Sequence, residues 1–133
     1  MRASVGYLVI DTMDPQRLAP FWCALLDVRV DAEIGDGQFV VLSRAQDGLT
    51  LGFQQVPDAK SGKNRLHLDL VVDDLDAATA EIEALGGRWL ESGRTRELEG
   101  FQWRLTADPA GNEFDIDVVP ADVSGSVTPP VSS

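Results

Sequence analysis

The sequence predicts an α+β fold built from two tandem βαβββ modules, and three observations carry this prediction. An apolar strand that leads into a helical stretch occurs twice, at residues 7–14 and again about sixty residues later at 67–74. In the first helical stretch, Leu18, Phe21 and Leu25 recur at the i, i+3, i+7 spacing of a buried helix face. Short strand-like runs follow each helix and are separated by glycine-containing turns.

The first module begins with a predicted strand at 4–11. Asp14 is a suitable N-cap for the helix that follows, and Pro15 occupies the first helical position, where proline is tolerated. Pro20 removes a backbone donor inside the helix, which predicts a kink or a bent first turn. Three strands are then predicted, near 28–32, 38–43 and 49–55.

The second module repeats this order after a polar linker at 57–64. Its helix is predicted to begin after the N-cap Asp74 and to end at Gly86-Gly87, and the charged stretch 91–100 is predicted to be a loop. The predicted strands lie at 65–72, 88–91, 101–106 and 112–118. We therefore expect a single domain at 1–120, with modules at 4–56 and 65–119. The composition of 121–133 predicts a disordered tail.

The composition excludes some classes of binding partner and favours one cellular location. The net charge of −11 argues against nucleic acid and anionic membranes, because both recruit clustered Lys and Arg. No apolar run approaches the roughly 18–20 residues of a membrane span, and no signal peptide is recognisable, so a cytoplasmic location is expected. The single cysteine, Cys23, excludes an intrachain disulfide, and its apolar neighbours favour a core role over a reactive thiol.

Strand alternation assigns polar residues to one face of each predicted sheet. In the fifth strand His67 and Asp69 oppose the leucines, and in the last strand Glu113 and Asp115 oppose Phe114. A solvated sheet face gives the same alternation, as does a structural histidine bonded to a neighbouring carboxylate. Because this polar set is poor in lysine and includes the only histidine, the pattern favours a pocket.

The half-repeat also assigns the faces of the strand at 101–106. It predicts that Trp103 and Leu105 face the helix, whereas Arg104 faces the pocket. The planar guanidinium of Arg104 would suit an anionic group on a ligand, and a salt bridge to Glu113 or Asp115 is the alternative.

Two motifs connect these patterns to a known family. They are His-Leu-Asp-Leu at 67–70 and Asp-Pro-Ala-Gly-Asn-Glu-Phe at 108–114. With the half-repeat, they make residues 4–119 resemble the vicinal oxygen chelate superfamily of glyoxalases, bleomycin-resistance proteins and extradiol dioxygenases. The nearest likeness is to the glyoxalase-like group found in many bacterial proteins. The resemblance implies that the mixed sheets form a half-open, barrel-like cleft with the helices on the outer faces, commonly within a homodimer.

The resemblance also implies where a metal ion would bind, since metal-dependent members take one ligand from each of four strands. These positions fall on Tyr7, Gly52, His67 and Asp115, with Gln54 the next side chain after Gly52. His67 and Asp115 suit Fe, Mn, Ni or Zn. Tyr7 is a poor ligand unless it is ionised and Gly52 has no side chain, so a metal-free cleft is favoured over one divalent metal.

The favoured function is an enzyme, of the lyase, isomerase or cyclase kind, that acts on a small organic molecule. His67 would be the general base, Asp115 would orient it or hold its cation, and Tyr7 would donate to a developing oxyanion. The expected substrate-binding residues are Val9, Phe39, Gln54, Asp69, Arg104 and Glu113. The alternative is a metal-free drug- or metabolite-binding protein of the bleomycin-resistance type, whose acidity would attract a cationic ligand.

Overall fold

A computed structural model describes residues 1–120, and the predicted tail at 121–133 lies outside the described residues. The chain divides into two compact units, the first at Met1–Ser61 and the second beginning at Gly62. Each unit contains one sheet and one helix, which confirms the predicted α+β class. Within residues 1–120, no helix combines the length and the apolar character needed to cross a membrane.

The first unit has the predicted βαβββ order. Its elements are β1 (Leu8–Thr12), α1 (Pro15–Leu26), β2 (Val30–Ile34), β3 (Phe39–Leu42) and β4 (Leu51–Gln55). The strands lie in the order β1-β4-β3-β2, with β1 parallel to β4 and the other pairs antiparallel. The first strand begins at Leu8, later than the predicted residue 4.

The helix α1 is capped as the sequence predicts. Asp14 Oδ1 accepts a hydrogen bond from the Arg17 N–H at 3.2 Å, and Pro15 opens the helix. The helix continues past the exposed Pro20 as far as Leu26. It packs on the face of its own sheet that carries Val40 and Phe53, both fully buried, so the helix and this face form the core of the unit.

The second unit has the same plan with one additional strand. Its elements are β5 (Asp69–Val71), α2 (Leu75–Ala84), β6 (Arg88–Trp89), β7 (Arg96–Leu98), β8 (Phe101–Ala107) and β9 (Glu113–Val118). The sheet order is β5-β9-β8-β6, and β7 also pairs with β8. Because β6 and β7 pair with opposite ends of β8, they act as one interrupted edge strand. The predicted βαβββ order is therefore preserved.

The helix α2 also has the predicted ends. Asp74 Oδ1 accepts hydrogen bonds from the backbone N–H groups of Asp76 and Ala77, at 2.9 and 3.1 Å. After the helix, Gly86 adopts a φ of +97°, and the Gly87 N–H bonds to the Ile82 carbonyl. This is the left-handed termination that glycine provides.

The prediction of an unbroken loop at 91–100 is wrong, because β7 lies within it. Leu98 pairs with Phe101 across a two-residue turn, and both turn residues, Glu99 and Gly100, have positive φ angles of 49° and 87°. Such a turn favours Asn-Gly or Asp-Gly, and glutamate is an uncommon first residue. The sequence therefore lacks the usual signal for this hairpin.

We expect the variant Glu99→Asn to stabilise this hairpin. Asparagine tolerates the left-handed conformation better than glutamate, so the free energy of unfolding should rise by about 0.5–1 kcal/mol. Chemical denaturation checks this, with Glu97→Asn in the exposed part of β7 as the control. Equal effects of the two substitutions would show that the turn conformation does not limit stability.

The predicted assignment of faces on β8 is also wrong. Leu105 pairs with Asp115 and Trp103 with Asp117, so both side chains share the polar face of the sheet. Arg104 pairs with Ile116 and is buried on the opposite face, against α2. The apolar residues of β8 thus lie beside the carboxylates, and the arginine lies beneath the helix.

Candidate functional site

The candidate site lies on the polar face of the second sheet, where β5 and β9 run side by side. The two strands are parallel, and their register places Asp69 opposite Asp115 and Val71 opposite Asp117. His67 lies two residues before Asp69, just upstream of β5. Sequence reasoning selected His67, Asp69 and Asp115, and the structure brings these three together.

His67 is held between two carboxylates. Its Nε2 atom lies 3.0 Å from Asp69 Oδ1 and 3.5 Å from Asp115 Oδ2. The histidine side chain is 42% exposed, whereas that of Asp115 is 15% exposed. The imidazole is therefore accessible to a ligand, and the Asp115 carboxylate is largely shielded from solvent. An imidazole in this position can accept a proton, and the carboxylates stabilise the cation that forms.

The carboxyl groups of β9 are crowded and partly removed from water. Burial raises the pKa of Asp115 above its ordinary value, the negative charge of Asp69 raises it further, and His67 partly offsets both effects. Burial also raises the pKa of Asp117 to about 8, with a further contribution from a hydrogen bond to Asp69. Asp117 therefore keeps its proton to a higher pH than an ordinary aspartate does.

Asp117 was not among the residues selected from the sequence. Its Oδ1 atom is buried and has no hydrogen-bond partner among residues 1–120. The signal that could have identified it is its position two residues after Asp115, which places it on the same face of β9. The alternation of Glu113, Asp115 and Asp117 marks a continuous acidic row on one face of β9.

The donor set fits a divalent metal ion. One ligand atom from each of His67, Asp69 and Asp115 can be chosen so that all three lie within 4.8 Å of one another. Metal–ligand bonds of about 2.1 Å place adjacent ligand atoms of an octahedral ion roughly 3 Å apart. The separations of 3.0 and 3.5 Å from His67 Nε2 agree with that spacing. One imidazole and two carboxylates suit Mn, Fe or Zn.

In the first unit, the residues selected from the sequence lie along the open face of its sheet. Tyr7 precedes β1 and is exposed, as is Val9, which pairs with Gly52. Gln54 lies exposed two residues along β4 and pairs with Phe39. A Cβ atom at Gly52 would lie 3.0 Å from Cζ of the Phe39 ring, so the ring occupies the space of a ligand side chain at this position.

Arg104 does not face the site, contrary to the sequence prediction, and its role as an anchor for a ligand anion is withdrawn. Its Nη1 donates to Thr79 Oγ1 at 2.7 Å and to the Leu75 carbonyl at 3.2 Å. Its Nη2 bonds to Asp76 and its Nε to Thr95. The guanidinium also stacks over the Trp89 ring, 4.1 Å from its centroid. Arg104 therefore links β8 to α2 through buried hydrogen bonds.

Arg96 is the cation that β7 places on the polar face. It pairs with Trp103, which in turn pairs with Asp117, so the three side chains form one row across the sheet. Glu91 holds the guanidinium through two hydrogen bonds of 2.7 and 2.8 Å. This bond and the Arg96 charge lower the pKa of Glu91 below its ordinary value. Sequence reasoning missed Arg96 because its strand was predicted to be a loop.

Comparisons with known proteins agree with this architecture. The sequence model of the family described as "Glyoxalase-like domain" matches residues 7–116. No curated protein matches the sequence.

Solved structures share the fold at low sequence identity. A glyoxalase/bleomycin resistance protein/dioxygenase family enzyme from Burkholderia phytofirmans PsJN is 20% identical, with a TM-score of 0.70 over 86% of this chain and 97% of that one. The fosfomycin resistance protein FosX from Listeria monocytogenes is 15% identical, with a TM-score of 0.71 over 92% and 95%. The oxidase ChaP-H2 is 20% identical, with a TM-score of 0.65 over 90% and 96%. Two FosX structures, one of them of a mutant, contain Mn(II).

Proposed function

This chain belongs to the family of glyoxalase-like domains in the vicinal oxygen chelate superfamily, and we propose that it is an enzyme that transfers protons on a small organic molecule. The observation that carries the proposal is the position of His67, with Nε2 3.0 Å from Asp69 and 3.5 Å from Asp115. The solved relatives that are named as enzymes support small-molecule chemistry on this fold.

In the proposed reaction, His67 accepts a proton from a carbon atom next to a carbonyl group. Asp69 and Asp115 stabilise the imidazolium, because both carboxylates lie within ion-pair distance of Nε2. The same imidazolium then returns the proton to another atom of the substrate, which gives isomerisation, or to a leaving group, which gives elimination.

A bound divalent metal would strengthen this chemistry. His67, Asp69 and Asp115 would hold it, and it would supply a Lewis acid that polarises a substrate oxygen. With a metal held there, His67 would serve as a ligand, and another group would accept the proton. Comparing turnover in the presence of EDTA with turnover in the presence of added Mn²⁺ distinguishes His67 as the proton acceptor from His67 as a metal ligand.

We predict that the protein accelerates the exchange of carbon-bound protons for deuterium in small carbonyl compounds. The assay follows loss of the α-proton NMR signals of a panel of α-hydroxy ketones and β-keto acids in D₂O. Since general base catalysis contributes about 10²–10⁴-fold, His67→Ala should lower the exchange rate of the best compound at least 100-fold.

The matched control is Arg65→Ala, which removes an exposed side chain two residues from His67. Circular dichroism should show that both variants are folded. Full activity in His67→Ala, or exchange no faster than in buffer for every compound, would contradict the proposed function.

A binding protein without catalytic activity is the second candidate, and one observation favours it. The chain carries a net charge of −11, and the carboxylates of Asp69 and Asp115 flank one exposed histidine, which suits a cationic ligand. Calorimetric titration with cationic drugs distinguishes the two functions. Micromolar binding that Asp69→Asn weakens, together with no proton exchange, would favour this candidate over the enzyme.

A further inference from the structure

The position of His67 depends on the segment that precedes β5. His67 lies outside the strand, which begins at Asp69. The backbone hydrogen bond to β9 that lies nearest to His67 joins the Asp115 N–H to the carbonyl of Leu68, the residue after His67, at 2.8 Å. Leu66 and Arg65, immediately upstream, are exposed. Regular strand pairing therefore does not fix the backbone of His67 on its upstream side.

Glu113 supplies the missing attachment. Its Oε1 accepts a hydrogen bond from the Asn64 N–H at 2.9 Å, and its backbone carbonyl accepts one from Asn64 Nδ2 at 3.1 Å. Its Oε2 forms an ion pair with Lys63 Nζ at 2.8 Å. Glu113 and Asn64 thus hold each other through both side chains, at the first residue of β9.

Hydrogen bonds to β9 hold the chain on both sides of His67. Upstream, Asn64 is bound to Glu113, and downstream, Leu68 is bound to Asp115. Both anchors belong to β9, which also carries the Asp115 carboxylate that faces the imidazole. The distance between His67 and Asp115 is therefore set by β9 at two points on either side of the histidine.

The bond to Asn64 contributes more to this arrangement than the ion pair does. The Glu113 side chain is 13% exposed, so its charge-assisted hydrogen bond to a backbone N–H is only weakly screened. The Lys63 side chain is 64% exposed, and exposed ion pairs contribute little. Removing the Glu113 carboxylate should therefore free the chain between Asn64 and His67, whereas removing the Lys63 side chain should not.

We propose that Glu113 is a positioning residue that fixes His67 relative to Asp115 through Asn64. This inference rests on the proposed function, in which His67 transfers the proton. It replaces the expectation that Glu113 binds substrate directly. Glu113 acts through the backbone of another residue and does not touch the reacting atoms.

The test uses the only histidine of the chain as its own reporter. The NMR signal of its imidazole Hε1 proton is recorded for the full-length wild type and for Glu113→Ala, Glu113→Gln and Lys63→Ala. We expect Glu113→Ala to displace or split this signal and to lower the turnover number about 10-fold or more, with the Michaelis constant within twofold of wild type. Glu113→Gln should restore most of the wild-type signal position and of the turnover number, because its amide oxygen can still accept the hydrogen bond from the Asn64 N–H. Lys63→Ala should match wild type.

Two outcomes would overturn the inference. One is an unchanged Hε1 signal in Glu113→Ala, and the other is a fall in turnover no greater than the unfolded fraction measured by circular dichroism. If Glu113→Ala does not fold, Asn64→Ala decides, because it removes the Nδ2 bond to the Glu113 carbonyl and should displace the Hε1 signal, whereas Lys63→Ala should not. An unchanged signal in Asn64→Ala would reject the role of Asn64. If the wild type turns over no compound, the proposed function fails, and the Hε1 signal alone decides whether Glu113 positions His67.

Discussion

Replacing Arg104 with alanine is expected to lower the free energy of unfolding by about 3 kcal/mol. The side chain is 10% exposed, and its guanidinium donates to four groups, on Leu75, Thr79, Asp76 and Thr95. The substitution leaves a cavity under α2 and removes the stacking partner of Trp89. It should leave substrate affinity unchanged, because the side chain lies on the face of β8 opposite Asp115.

Chemical denaturation followed by tryptophan fluorescence measures this effect. Arg94→Ala is the matched control, since Arg94 forms an exposed ion pair with Glu91 and its loss should leave stability at the wild-type level. Should Arg104→Ala fail to fold, Arg104→Met keeps the aliphatic stem and should give a smaller loss. A stable Arg104→Ala variant with a strongly raised Michaelis constant would instead restore the anchor role that the sequence suggested.

The second large effect is expected from Asp117→Asn and depends on pH. The folded chain releases the Asp117 proton at a pKa of about 8, whereas an unfolded aspartate releases it near pH 4. Because the folded pKa is raised, the unfolded state binds fewer protons between these values, so this group's contribution to stability is lost as the pH rises through that interval. Asparagine cannot ionise and avoids this loss.

We therefore expect Asp117→Asn to be more stable than wild type at pH 8.5 by about 1–3 kcal/mol and to match it near pH 4. This range is well below the full free energy of the shift, because the side chain is only half-buried and solvent screens part of the effect. Denaturation with EDTA present, at several pH values, checks the expectation. The exposed Asp73 provides the control Asp73→Asn, and a pH-independent difference for Asp117→Asn would refute the explanation.

Local chemistry explains why much of the fold could be predicted from the sequence. The caps Asp14 and Asp74 satisfy helix N–H groups within three residues of themselves, so a short motif suffices to place both helices. The half-repeat likewise sets the order of strands, because each module must bury one sheet face against its own helix. These features depend on neighbours in sequence and do not require tertiary information.

The faces of β8 could not be predicted, because a tertiary arrangement overrides the alternation. Phe101, Trp103 and Leu105 form the apolar series that would ordinarily face a helix. Arg104 takes that place because α2 presents the Leu75 carbonyl and the Thr79 hydroxyl directly to it. No spacing in the sequence indicates that these acceptors meet one guanidinium.

The candidate site was only partly predictable for the same reason. His67, Asp69 and Asp115 follow from alternation in β5 and β9, and the structure brings them together. The absence of a side chain at Gly52 was visible in the sequence, but its cause, the Phe39 ring 3.0 Å from a Cβ at that position, was not. The attachment of Asn64 to Glu113 joins residues 49 positions apart and needed the register of β9.

The NMR signal of the His67 imidazole tests the central claim most directly, because His67 is the only histidine and its Hε1 proton reports on this site alone. The compound that the protein exchanges fastest is titrated into the wild type while this signal is followed. If His67 is the proton-transferring group, the signal should shift saturably, with the same half-point as the exchange rate. A signal that stays in place while exchange proceeds at full rate would show that the chemistry occurs elsewhere.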